Sequence, residues 1–144
     1  MLAIVLCLAE HYAYGEGSYT MTRILIIDDN ASTRDVLRQA LERAGHEVVE
    51  AADGHVGIEY QRTLPAEVII TDILMPEQEG FKTIRELRRD FPTTGIIAMS
   101  GGGQIGGDTL LAVAERLGAQ RVLQKPFGLR DMLDAVHQLL QRQT

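Results

Sequence analysis

From Arg23 onward, short apolar runs alternate with longer stretches whose apolar residues recur every three or four positions, and the alternation repeats five times. The short runs fall at 24–27, 48–51, 68–71, 96–99 and 122–123. Several are continuously apolar and rich in Ile and Val, the composition of strands covered on both faces, and this predicts a parallel sheet in an α/β domain. Helical spacing links Val36, Leu37, Ala40, Leu41 and Ala44; then Phe81, Ile84 and Leu87; then Leu110, Val113, Ala114 and Leu117. The clearest stripe joins Leu129, Met132, Leu133, Val136, Leu139 and Leu140, and the thinnest, around 55–64, rests on Val56, Tyr60 and Leu64. Gly45 and Gly118 stand where helices stop and a left-handed residue is needed, while Asp53-Gly54 and Pro65 separate periodic segments.

A chain of 144 residues, 45% of them apolar, makes one domain of ordinary size. The formal net charge of -6, with Lys and Arg interleaved among Asp and Glu, argues against nucleic-acid binding, which needs a clustered basic face. Cys7 is the single cysteine, so an internal disulfide and a cysteine-based metal site are both excluded, in keeping with a reducing, cytoplasmic setting. The first twenty residues carry no Lys or Arg, and their apolar run stops at Glu10, short of the roughly 18 residues a membrane span needs. They also lack the basic start of a signal peptide. Met21-Thr22-Arg23, directly before the first strand, is a natural beginning, so residues 1–20 are expected to be a frayed extension and 21–144 the domain. With no linker to a second domain, output is expected from this domain's own surface.

Ligands of open parallel sheets bind outside the carboxyl ends of the strands. At those ends lie Asp28-Asp29, Asp72, Ser100 and Lys125-Pro126. Taken singly, each has an ordinary explanation: an acidic pair at a helix N-terminus, a turn serine, a surface lysine before a helix-starting proline. Together they place three carboxylates at one rim, where mutual repulsion calls for a counter-charge. A hard divalent cation supplies it, and oxygen ligands with room for water and phosphate suit Mg²⁺ better than Zn²⁺. Asp72 is then a candidate nucleophile toward a phosphoryl group, with Lys125 to stabilise its oxygens and Ser100 to donate a hydrogen bond. The histidines His11, His46, His55 and His137 show no ligand spacing. A competing motif, G-x-G-x-x-G over 101–106, has the local context of dinucleotide binding, but the acidic residue expected about 20 residues on is absent, since 121–125 ends in lysine.

The segment Ile24-Leu25-Ile26-Ile27-Asp28-Asp29-Asn30, the segment Asp72-Ile73-Leu74-Met75-Pro76 leading to Gly80, Ser100, and Lys125-Pro126-Phe127 together resemble the receiver domain of two-component response regulators, from about Arg23 to the C-terminus. The resemblance implies a flavodoxin-like doubly wound (βα)₅ fold with strand order 2-1-3-4-5. It implies Asp72 as phosphoacceptor, Asp29 and Asp72 as direct Mg²⁺ ligands, Asp28 as a ligand through water, and the Leu74 carbonyl as a further ligand. Lys125 would contact the phosphoryl group, Ser100 would be the switch hydroxyl, and the Lys125-Pro126 bond would be cis. The phosphoryl donor would be a phosphohistidine on a sensor histidine kinase or histidine phosphotransfer protein. The domain would catalyse only its own phosphorylation and dephosphorylation, and its output would be a protein-binding surface of the fourth helix, fifth strand and fifth helix, in a stand-alone regulator.

Three features depart from the family pattern. Val122 stands three before Lys125, where an aromatic ring usually couples to the switch hydroxyl, and this keeps open the alternative of a degenerate receiver that binds partners without phosphorylation. Leu74 and Gly102 occupy positions that influence phosphoryl hydrolysis in the family, with opposing consequences for an attacking water. Glycines at 101, 102, 103, 106 and 107 make the segment after the fourth strand permissive, and we expect it to become ordered on phosphorylation.

Overall fold

A continuously apolar run is stable as a strand only when both of its faces are covered, and the first run is placed that way. Strand β1 (Arg23–Ile27) sends Ile24 and Ile26 into one core and Leu25 and Ile27 into another, and none of the four is more than 1% exposed. The structure, a computed structural model, describes residues 22–73, 79–101 and 107–142. Along the chain β1 is followed by α1 (Ala31–Arg43), β2 (Glu47–Ala51), α2 (Gly54–Thr63), β3 (Val68–Asp72), α3 (Glu79–Asp90), β4 (Gly95–Gly101), α4 (Gly107–Leu117), β5 (Arg121–Lys125) and α5 (Leu129–Arg142). The five strands form one parallel sheet in the order β2-β1-β3-β4-β5, as expected. The anticipated extension over 1–20 lies outside the described residues.

Helices cover both faces. Leu25, Ile27, Ile69 and Ile96 pack with Ile58 of α2, Ile84 and Leu87 of α3 and Ala114 of α4. On the other face Ile24, Ile26, Val68, Ile70, Ile97 and Met99 meet Leu37 and Leu41 of α1 and Met132, Val136 and Leu139 of α5. Each fully buried aliphatic side chain of this size contributes about 1.5 to 3 kcal/mol. The starts of α1 and α2 are capped by side chains: Asn30 accepts the Thr33 amide at 3.1 Å and Asp53 the Val56 amide at 2.8 Å. Gly45 and Gly118 take φ of 93° and 125°, which only glycine adopts without strain, where α1 and α4 end. Among the described residues no helix is long and apolar enough to cross a membrane.

The thin stripe of α2 is corrected by the structure. Its inward face is Gly54, Gly57, Ile58 and Gln61, whereas Tyr60 and Leu64 are exposed. Gln61 tolerates burial because its amide donates to the Ala66 carbonyl at 3.0 Å and accepts from the Ala66 amide at 2.8 Å. Val36 of α1, Val113 of α4 and Leu129 of α5 also lie outside the core despite their helical spacing. Val36 and Leu129 instead border a groove with Pro126 and Phe127.

Candidate functional site

Parallel register carries the strand ends to one edge of the sheet. Ile27 lies beside Thr71, Asp72 beside Met99, and Gly101 beside Lys125. Asp28, the first residue past β1, is fully buried, and its amide still extends the sheet by donating to the Ala51 carbonyl at 3.1 Å. Both of its carboxylate oxygens are engaged: Oδ1 accepts the Asn30 amide at 2.8 Å, and Oδ2 accepts from Lys125 Nζ at 3.2 Å. The same ammonium reaches Asp72 Oδ2 at 3.3 Å. Asp72 is 5% exposed, whereas Asp29 faces solvent. One carboxylate oxygen from each of Asp28, Asp29 and Asp72 lies within 4.8 Å of the others.

The backbone just beyond Asp72 is held on two sides. The Ile73 amide donates to the Met99 carbonyl at 2.9 Å, and α3 returns so closely that a Cβ on Gly80 would collide with the Ile73 carbonyl. Ser100 is buried at the end of β4, one position past the register partner of Asp72, and its hydroxyl donates to the Gly101 carbonyl at a long 3.4 Å. The Lys125-Pro126 bond is cis. Leu74, Gly102 and the rest of the glycine-rich segment up to 106 lie outside the described residues.

Burial of Lys125 works against its charge, but the carboxylates of Asp72 and Asp28 outweigh it and hold its pKa above the ordinary lysine value. One ammonium against three carboxylates still leaves an acidic rim. The cluster offers oxygen donors and no imidazole or thiolate, which suits a hard divalent cation.

The family model of the response regulator receiver domain matches residues 24–137. The chain belongs to the response-regulator receiver family. A receiver is a signalling domain, generally binds Mg²⁺ in an acidic pocket, and works with histidine kinases or phosphotransfer proteins and downstream effectors. The chain is 37% identical over 124 residues to the DNA-binding dual master transcriptional regulator RpaA of Synechocystis, covering 85% of this chain and 50% of that protein. It is 32% identical over 118 residues to the chemotaxis protein CheY of Thermotoga maritima, covering 81% of this chain and 96% of that one. This receiver thus spans about half the length of RpaA and nearly all of CheY. A CheY-like receiver domain from Methanospirillum hungatei superposes with a TM-score of 0.79 at 27% identity, over 86% of this chain and 97% of that one.

Val122 packs against the apolar core from β5, opposite Ala98 of β4, so the position that carries a ring in many receivers holds a stiff branched side chain. Two further residues touch this site without having been singled out from the sequence. Asn30 closes the turn on Asp28, and Arg34 donates to the Asp28 carbonyl at 2.6 Å. An Asp two positions before a helix-capping Asn was the available sign of the first. The second left none.

Proposed function

We propose that this receiver accepts a phosphoryl group on Asp72 from a phosphohistidine of a sensor histidine kinase or histidine phosphotransfer protein. Asp28, Asp29, Asp72 and the Leu74 carbonyl would hold Mg²⁺. When bound, the ion supplies neutralisation of the acidic rim and of the phosphoryl oxygens. In the transfer an Asp72 carboxylate oxygen bonds to phosphorus as the phosphorus–nitrogen bond breaks, and the donor imidazole leaves with its electron pair and takes up a proton. Lys125, already within reach of Asp72, moves its charge onto the phosphoryl oxygens, and the Ser100 hydroxyl turns from the Gly101 carbonyl to donate to one of them. The observation that carries this reading is the single ammonium bridging two buried carboxylates at the ends of different strands, beside a third.

The energetics suffice for a switch. Charge-assisted hydrogen bonds contribute about 1.5 to 3 kcal/mol each, and moving a population from 1:99 to 99:1 takes about 5.5 kcal/mol. Output is then a change at a protein-binding surface of α4, β5 and α5, in the cytoplasm; the net charge of -6 disfavours direct DNA contact by this domain. Intact mass after incubation with acetyl phosphate and Mg²⁺ tests the reading: one added phosphoryl group is expected, and none with EDTA. Failure to label under either condition would instead support constitutive, phosphorylation-independent binding, which Val122 in place of a switch ring favours.

A further inference from the structure

Arg34 stands in the first turn of α1 and reaches back to the rim. Its Nη1 donates to the Asp28 carbonyl at 2.6 Å, its Nε donates to Glu50 Oε1 of β2 at 3.3 Å, and its side chain is only 17% exposed. The carbonyl it grips belongs to the peptide joining Asp28 to Asp29. The Asp28 side chain has its own restraints from Asn30 and Lys125, but among the described residues no hydrogen bond or ion pair holds the exposed Asp29 carboxylate. The direction in which Asp29 leaves the backbone therefore depends on that peptide, and the guanidinium fork fixes the peptide against β2.

We propose that Arg34 is a positioning residue for the divalent-cation site, setting the Asp28-Asp29 peptide so that the Asp29 carboxylate meets the same ion as Asp72. The inference rests on the reading of the acidic trio as a Mg²⁺ site. A bare guanidinium this close would repel a cation, and Glu50 removes that conflict. Its other oxygen pairs with Arg38 at 3.6 Å, so the carboxylate is shared between two arginines, and Arg38 is also paired with Asp35. Arg34 thus orients the rim while its charge is largely cancelled, an outer-sphere arrangement of the kind that tunes metal affinity.

The sign of one substitution separates orientation from charge. If Arg34 acted only through its charge, removing it would tighten Mg²⁺ binding; if it positions the ligands, removing it weakens binding. Mg²⁺ titrations followed by amide NMR shifts of residues 28–30 would be compared for the wild type, Arg34→Met, Arg34→Lys and Glu50→Gln, with spectral dispersion reporting that each is folded. Arg34→Met is expected to weaken Mg²⁺ about tenfold. Arg34→Lys should weaken it as well, because a single ammonium keeps the charge but cannot span both acceptors. Glu50→Gln should weaken it less, and most at low salt, by leaving the arginines' charge uncancelled. Unchanged or tighter binding in folded Arg34→Met overturns the inference alone, and should that variant not fold, wild-type affinity in Arg34→Lys does the same. A wild-type protein whose amides ignore Mg²⁺ overturns the site reading and this inference together.

Discussion

The ends of β1 and β4 lie on the same edge of the sheet and are held very differently. At the end of β1, Asp28 is fixed by its amide, by both carboxylate oxygens and by its carbonyl, through Ala51, Asn30, Lys125 and Arg34. At the end of β4, the Ser100 hydroxyl makes one long bond to its neighbour's carbonyl among the described residues. The helices repeat the contrast: α5 buries Met132, Ala135, Val136 and Leu139, while of the described side chains of α4 only Ala114 is buried. A phosphoryl acceptor benefits from a rigid platform, and a response element must have a second arrangement within reach. Under the proposed function, the two halves of this edge divide those requirements.

The largest effect is expected from breaking the rigid half. In Gly80→Ala the new methyl group would push against the carbonyl of Ile73, the residue that follows Asp72. We expect a loss of about 2 to 3 kcal/mol in urea unfolding together with slowed labelling by acetyl phosphate. Wild-type stability would show that α3 shifts freely and that this side is not rigid.

A smaller effect is expected on removing the shared ammonium. Lys125→Met leaves Asp28 and Asp72 facing each other without their counter-charge, which should cost about 1 kcal/mol at neutral pH, the ion pairs being partly solvated. The pH dependence is fixed by the direction of the Lys125 shift. Its folded pKa lies above its unfolded value, so the ammonium's contribution is complete below the ordinary value of 10.5 and is lost only as pH rises through the folded one. The Tm gap between wild type and Lys125→Met should therefore be flat near neutrality and close in alkali. A gap that instead widened with rising pH would contradict the assigned pairing.

The smallest stability change should come from Ser100→Ala on the loosely held side, within about 0.5 kcal/mol, since little is bonded to that hydroxyl. Labelling of Asp72 should persist, while the phosphorylation-dependent change in hydrogen exchange over α4 should be lost. A variant that lost labelling but kept the α4 response would reverse the division between the two ends.

Much of this molecule is legible in its sequence for a physical reason. Strands buried on both faces must be almost continuously apolar, so the runs at 24–27, 68–71 and 96–99 announce themselves, and parallel strands must bring Asp28, Asp72 and Lys125 to one edge. Helix α2 is harder to read because its inward face is two glycines, an isoleucine and a glutamine whose burial depends on the Ala66 backbone. The adjacent Asp28 and Asp29 look alike in sequence, yet one is sealed and the other faces water, a difference set by the turn on Asn30. Arg34 acts on a main-chain carbonyl, which every residue possesses, so no residue type marks its partner.

The most direct test is to locate the phosphoryl group. After incubation with acetyl phosphate and Mg²⁺, borohydride reduction converts an acyl phosphate to the corresponding alcohol, so a phosphorylated aspartate is read in peptide mass spectra as homoserine. Homoserine at position 72, absent with EDTA and absent from Asp72→Asn, is the predicted result. Homoserine at position 28 or 29 in the wild type, or at no position, would contradict Asp72 as the acceptor.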